Sequence, residues 1–243
     1  MKKHIIPILI LLFIISGVNA QDAHNLLAKL DNIMFSPKDK QGKISIILID
    51  KDGEESVREA EMYQKGRDKK LYRYTAPEKQ AGIATLSLPG GVMWLYMPAF
   101  GNPKKVTLLA KSQAFTGTDF SYEDMASEPY ADRFYPRFVE EKDGAYILEL
   151  TPRSDKSNYS KIVVTQNKQD YYPHKMEYYD NSGNKFKEAN YLYEKIGKYF
   201  NAREVVMTNL KKNHSTKILL KDVVFDQGLS DDLFLVENLK PAE

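Results

Sequence analysis

The sequence predicts a mainly β protein with a few helices, built as an antiparallel meander of about eleven strands. Three observations carry this reading. Short β-rich stretches separated by turn residues recur at hairpin spacing from Gly42 to Phe225. Apolar residues at helical spacing precede them, and one long helical connection interrupts them. Several strands are apolar on both faces, where an ordinary antiparallel strand wets one of them.

Met1-Lys2-Lys3 leads into an apolar run from Ile5 to Val18, broken by Pro7, Ser16 and Gly17, and closes on Val18-Asn19-Ala20. A basic start, a short apolar stretch and compact residues before Gln21 read as a signal peptide over 1–20, cleaved after Ala20. The alternative, a membrane anchor, needs about 20 apolar residues, and the run is shorter. The sequence contains no cysteine, which excludes disulfides, thiolate metal sites, a cysteine nucleophile and the acylated cysteine of a lipoprotein. The expected mature chain is therefore exported to a periplasm-like compartment without a lipid anchor. Loss of Lys2 and Lys3 leaves 33 basic residues against 33 acidic ones. That neutrality argues against a nucleic-acid partner and makes apolar burial, with little help from net charge, the expected basis of binding.

Residues 21–243 read as one domain, with no repeat or linker to divide them. Leu26, Leu27, Leu30, Ile33 and Met34 define an amphipathic helix over 22–35, with Asp22 as its N-cap and Pro37 beyond its end. Strand-like stretches follow at 44–50, 54–64, 70–76, 83–88, 92–97 and 104–109. After the long connection come 133–141, 146–151, 161–166, 175–180, 185–193, 202–210 and 215–225. The connection, 111–130, carries two helical pieces around Gly117, and Ser121 with Asp124 forms a capping-box pattern. A connection of this length is usually functional or covering.

Ile44, Ile46 and Leu48 oppose Ile47 and Ile49, and Val92, Trp94 and Tyr96 oppose Met93, Leu95 and Met97. Either the helices simply cover the second face, or they form a lid over a concave sheet and leave an apolar cavity beneath. Trp94, Tyr96, Met97, Phe115, Phe120, Tyr122 and Met125 are the candidate cavity and lid residues. Gly117 is the candidate hinge, with Ser121 and Asp124 as the cap.

Catalytic patterns are poor. His24, His174 and His214 are far apart in sequence and read as surface residues, and no metal-binding, nucleophile-elbow or phosphate-loop motif occurs. Asp119 and Asp124 are better explained as turn and cap residues than as a carboxylate pair. The Asn-x-Ser sequences at Asn158 and Asn213 matter only in a eukaryotic secretory pathway. No enzyme activity, cofactor or metal is expected.

The helix ending Ala28-Lys29-Leu30-Asp31-Asn32-Ile33, the Leu71-Tyr72-Arg73-Tyr74 strand with Pro77, and Gly91-Val92-Met93-Trp94-Leu95-Tyr96-Met97-Pro98 together resemble the LolA-like outer-membrane lipoprotein-sorting family. The segment from Phe115 to Asp124 resembles one subgroup of it, and Gly228-Leu229-Ser230-Asp231-Asp232-Leu233-Phe234 resembles the family's closing segment. The resemblance implies an unclosed antiparallel β-barrel with a helical lid over an apolar concave face. It implies a monomeric carrier that binds lipoprotein acyl chains or another lipid, between an inner-membrane transporter and an outer-membrane acceptor. The alternative is a lipid-sensing or exporter-accessory module acting on an inner-membrane partner. Relatives use an arginine to hold the lid, and Arg67 lies about one position from the matching place.

Overall fold

The computed structural model describes residues 20–107, 110 and 113–240, so the expected leader, apart from Ala20, lies outside the described residues. The first element, α1 (Ala20–Met34), places Asp22 in its first turn rather than at a cap. Ala23, Leu26, Leu27 and Leu30 share its buried face at helical spacing. The chain turns before Pro37, with the Phe35 amide donating to the Asp31 carbonyl at 3.0 Å.

The strands are β1 (Asp39–Ile49), β2 (Glu55–Lys65), β3 (Lys69–Ala76), β4 (Ala84–Leu88), β5 (Val92–Tyr96) and the two-residue β6 (Lys104–Lys105). Two short helices, α2 (Tyr122–Met125) and α3 (Tyr130–Arg133), precede β7 (Phe134–Lys142), β8 (Ala145–Pro152), β9 (Lys161–Asn167) and β10 (Pro173–Tyr179). The series ends with β11 (Lys185–Ile196), β12 (Tyr199–Asn209) and β13 (His214–Phe225). The described residues hold thirteen strands rather than about eleven, in one sheet ordered β6-β5-β4-β3-β2-β1-β13-β12-β11-β10-β9-β8-β7. Its ladders are antiparallel, and β1 on β13 joins two local meanders. The strands β6 and β7, consecutive in sequence, are the two unpaired edges, so the barrel is unclosed.

Each face has its own cover, which accounts for strands that are apolar on both sides. The concave face carries Ile44, Ile46, Ala60, Met62, Tyr74 and Met93 into one core with α1 and the 115–126 segment. The convex face carries Leu71, Ala84, Leu86 and Tyr96 into a second cluster beneath Phe234 and Leu239. Those last two residues belong to a C-terminal strap. The buried Asp39 carboxylate accepts the amides of Gln227, Gly228 and Leu229 at 2.7, 2.8 and 3.1 Å and so turns the strap off β13. Arg73 holds the far end by donating to the carbonyls of Asn238 and Leu239, both at 2.9 Å.

The central ladder depends on a close approach at Gly42, where the β1–β13 register shifts between Gln41 and Lys43. A β-carbon there would stand 3.0 Å from the Lys221 carbonyl oxygen and 3.0 Å from Val223 Cγ2. A backbone oxygen cannot move aside as a side chain can. Gly42→Val is expected to destabilise the fold by roughly 1–3 kcal/mol, read as a lower denaturant midpoint at unchanged slope.

Candidate functional site

The connection from β6 to β7 starts at one open edge of the barrel and ends at the other, so topology alone makes it the lid. It includes a 3-10 turn at Phe115–Gly117 and continues through α2 and α3. Gly117 is the last residue of this turn and precedes α2. Thr116 (φ +47°) and Gly117 (φ +82°) reverse the chain in the left-handed region, which costs a β-branched residue such as Thr most. The Phe115 amide donates to the Phe120 carbonyl at 2.7 Å across this reversal. Ser121 then caps α2: its hydroxyl accepts the Asp124 amide at 3.1 Å, while Asp124 Oδ2 accepts the Ser121 amide at 2.8 Å.

Polar anchors fix the lid along its length. Arg58 on β2 donates to the Thr116 carbonyl, and the Tyr74 hydroxyl meets the Thr116 hydroxyl. The buried Asp119 pairs through Oδ2 with His214 Nδ1 at 2.6 Å and accepts the Thr216 hydroxyl at 2.8 Å. The Asp119 carbonyl accepts Lys187 Nζ at 2.7 Å. Tyr159 donates its hydroxyl to Asp124 at 2.8 Å, and burial together with the neighbouring Asp124 charge pushes that phenol well up, so it stays a donor. Asp31 of α1 accepts the amides of Tyr130 and Ala131, both at 2.9 Å, at the start of α3. Its burial raises the carboxyl pKa, against the lowering by those two amides.

Beneath the lid lies a cavity of about 210 Å³. The strands supply Ile44, Ile46, Ala60, Met62, Tyr72, Tyr74 and Ile218. α1 and the lid supply Ile33, Met34, Phe115, Phe120 and Met125, and Asp124 also reaches the wall. The sequence-predicted residues Phe115, Phe120, Met125 and Asp124 therefore come together here. Tyr122 is buried beside them, its ring 5.2 Å from that of Phe115 and edge-on to it, and Met97 packs against the same core. Trp94 and Tyr96 are not brought to the cavity: they face the convex side and pack under the strap with Leu86 and Phe234. Strand alternation makes Met93 and Leu95 the concave-face residues of β5 instead.

One further expectation changes. His214 is not a free surface residue, because it is the partner of Asp119. Arg67 is exposed, its carbonyl accepts the Ser127 hydroxyl at 3.1 Å, and its charge attracts Asp31. An arginine that reaches the lid from the sheet is Arg58, nine positions earlier. Its side chain shares a β2 face with Ala60 and Met62, a parity the sequence does contain.

The cavity lining carries three cations, Lys40, Lys70 and Arg133. Burial, then repulsion from Lys70, lowers the Lys40 ammonium to about 7, and burial, then Arg133, lowers Lys70 to about 8. Burial also raises the phenols of Tyr72, Tyr191 and Tyr193, with Tyr130 pushed up to about 12, so these wall residues are neutral. Among the described residues no group of three or more His, Asp or Glu is placed to hold a metal. Nor is any described helix long and apolar enough to cross a membrane.

An unclosed antiparallel barrel with a lidded apolar cavity is a carrier-type, LolA-like fold. A family model described as an uncharacterized protein matches residues 66–241, and the chain belongs to that family. Among solved structures, it is similar to a domain from Vibrio parahaemolyticus described as an outer membrane lipoprotein-sorting protein. The two are 28% identical, with 92% of this chain and 100% of that one covered at a TM-score of 0.84. A LolA superfamily protein from Nitrosomonas europaea is 25% identical, with 90% and 98% covered at a TM-score of 0.74. A DUF1329 family protein from Desulfovibrio piger shares the fold at 22% identity, with 91% and 99% covered and a TM-score of 0.84. No curated protein matches the chain.

Two predictions concern this site. Arg58→Met removes the donor to Thr116, and amide hydrogen exchange across 115–125 is expected to rise about tenfold while β8–β10 are unchanged. The depressed lysines give a signed pH dependence. Between the folded values of about 7 and about 8 and the ordinary lysine value near 10.4, the unfolded chain binds more protons, so stability rises with pH. Denaturant midpoints measured from about pH 6.5 to about pH 9.5 should climb, and Lys40→Met with Lys70→Met should flatten the climb.

Proposed function

We propose that the chain is a periplasmic carrier of the lipoprotein-sorting type. The leader at 1–20 exports it, cleavage after Ala20 frees it from the membrane, and the cavity takes acyl chains of a lipoprotein or another lipid for transfer between membranes. The observation that carries this reading is the apolar space between the concave sheet and the lid, about 210 Å³ in volume. Ligand pockets commonly run from roughly 300 to 1,000 Å³, so the lidded cavity suits part of an acyl chain and the rest requires the lid to lift. Each buried methylene contributes about 0.8 kcal/mol, enough for a few to hold a chain that a better acceptor can still withdraw.

In this reading Phe115, Phe120 and Met125 are the lid's contacts to the ligand. Tyr122 and Met97 back them. Gly117, with its positive φ, is the hinge, and the cap of Ser121 and Asp124 keeps α2 intact as the lid moves. The likeness to the lipoprotein-sorting domain of Vibrio parahaemolyticus, over 92% of this chain, supports the reading. The same transfer implies an inner-membrane donor and an outer-membrane acceptor.

Native mass spectrometry of the protein purified gently from its own envelope should find bound lipid. Vesicle-to-vesicle transfer of a fluorescent acyl lipid should be accelerated by the protein. Repeatedly empty protein that transfers nothing would remove the carrier reading. A stable one-to-one complex with an inner-membrane protein, without transfer, would leave a sensing or accessory module in its place.

A further inference from the structure

The concave face has a polar rung at one end of its apolar wall. In the register of the central strands, Lys40 of β1 stands opposite Gln64 of β2, and Gln64 stands opposite Lys70 of β3. With neighbouring strands about 4.8 Å apart, the two lysines sit about 10 Å from each other on one face of the sheet. The next rungs along the same face are Met62 with Tyr72 and Ala60 with Tyr74, all of them cavity residues. One line along the wall therefore runs from paired ammonium groups to an apolar interior.

These cations have no counter-ion of their own. Among the described residues, the side chains of Lys40 and Lys70 make no ion pair or hydrogen bond, and their near neighbours are rings: Phe225 at 5.8 Å and Tyr72 at 6.0 Å. Glu194 on β11 attracts Lys40 from beyond ion-pair distance, and burial outweighs it. The carboxylates in the cavity lining are Asp124 and Glu128. Asp124 is engaged by Ser121 and Tyr159, and Glu128 forms no ion pair with either lysine.

A second, independent feature points the same way. Arg133 enters the cavity wall from α3, where one guanidinium nitrogen donates to the Glu123 carbonyl at 3.0 Å. Its Nε–H, however, is buried with no acceptor. A buried donor on a charged group is costly to leave unpaired, and Arg133 also repels Lys70. Lys40 and Lys70 repel each other, Arg133 repels Lys70 while Asp31 and Glu123 attract Arg133, and all three cations border a space lined mainly by apolar side chains and tyrosines.

We infer that the cavity takes an anionic amphiphile, an acyl chain bearing a carboxylate or phosphate head, with the chain under the lid and the head bound by Lys40, Lys70 and Arg133. This rests on the carrier reading and narrows its ligand. A bound anion supplies the missing counter-charge, and the energy that burial takes from the lone ammonium groups is recovered only when that anion is present. An uncharged acyl ester gains the apolar contacts alone.

The test uses the chain without its leader and three ligands of equal chain length: oleate, oleoyl lysophosphatidic acid and monooleoylglycerol, titrated at about pH 6.5, where both lysines are largely protonated. The anions are expected to bind about ten- to a hundredfold more tightly than the uncharged ester. The double variant Lys40→Met with Lys70→Met should lose that preference, with an unchanged circular dichroism spectrum certifying its fold. The double variant Lys40→Arg with Lys70→Arg should keep the preference. A higher affinity for the phosphate or for the carboxylate identifies the head group and supports the inference. Equal affinity for all three ligands, or a preference that survives in the methionine variant, overturns it and leaves the carrier reading standing. Failure of all three to bind overturns both.

Discussion

The constraint on which the structure depends is that a curved sheet with two free edges cannot cover its own concave face. Thirteen strands would bury that face completely only by closing, and β6 and β7 do not pair. The apolar side chains of β1, β2, β3 and β13 then need a cover brought from outside the sheet, and the chain supplies it from the connection that spans the gap. A cover made of loop and short helix has many backbone groups without ladder partners. The lid accordingly carries apolar side chains downward and answers its polar requirements at discrete points: Thr116 on Arg58, Asp119 on His214 and Thr216, Asp124 on Tyr159, and the start of α3 on Asp31.

Those anchors are unequal, and the inequality bears on function. Asp31, Asp119 and Asp124 are carboxylates that each satisfy two or more partners, so breaking any one strands a charge in a poorly solvated place. The Thr116 turn is held by neutral acceptors alone, a carbonyl and a hydroxyl. It is also the stretch with two successive positive φ values, a conformation that persists only while its surroundings impose it. The lid is therefore weakest at the end that carries Phe115 and strongest where α3 docks on α1. A ligand tail that replaces Phe115 and Phe120 in the cavity exchanges one apolar contact for another, at little net cost.

Local features of this design are legible in the sequence and cross-strand ones are not. The α1 face, the capping box and the strand series follow from neighbouring residues, where period and turn chemistry suffice. Each of the thirteen strands overlaps a stretch that reads as one. The face to which a strand residue points requires the register of its neighbours, because alternation gives two parities and not their sense. Trp94 and Tyr96 look like ligand-binding residues for that reason, being aromatic and in phase with each other. The cover that claims them, the strap ending in Phe234 and Leu239, lies more than a hundred residues away. Arg58 and His214 were hidden in the same way. Their partners, Thr116 and Asp119, are 58 and 95 positions distant.

Charge was the least legible property, since a count over the chain says nothing of where charges sit. Several of this protein's cations and anions cancel on the outside of the sheet: Lys175 and Lys185 with Glu177 and Glu188, Arg137 and Lys161 with Glu149, Lys211 with Asp180. Exposed pairs of this kind contribute little to stability, but they use carboxylates. Lys40 and Lys70 are left facing inward without one. A chain of formal net charge +2 can thus hold a locally positive stretch of cavity lining, and because that stretch is poorly solvated, each of its charges acts on a ligand more strongly than a surface charge would. The apolar wall and the cationic rung lie on the same three strands, so the register that lines up one also lines up the other.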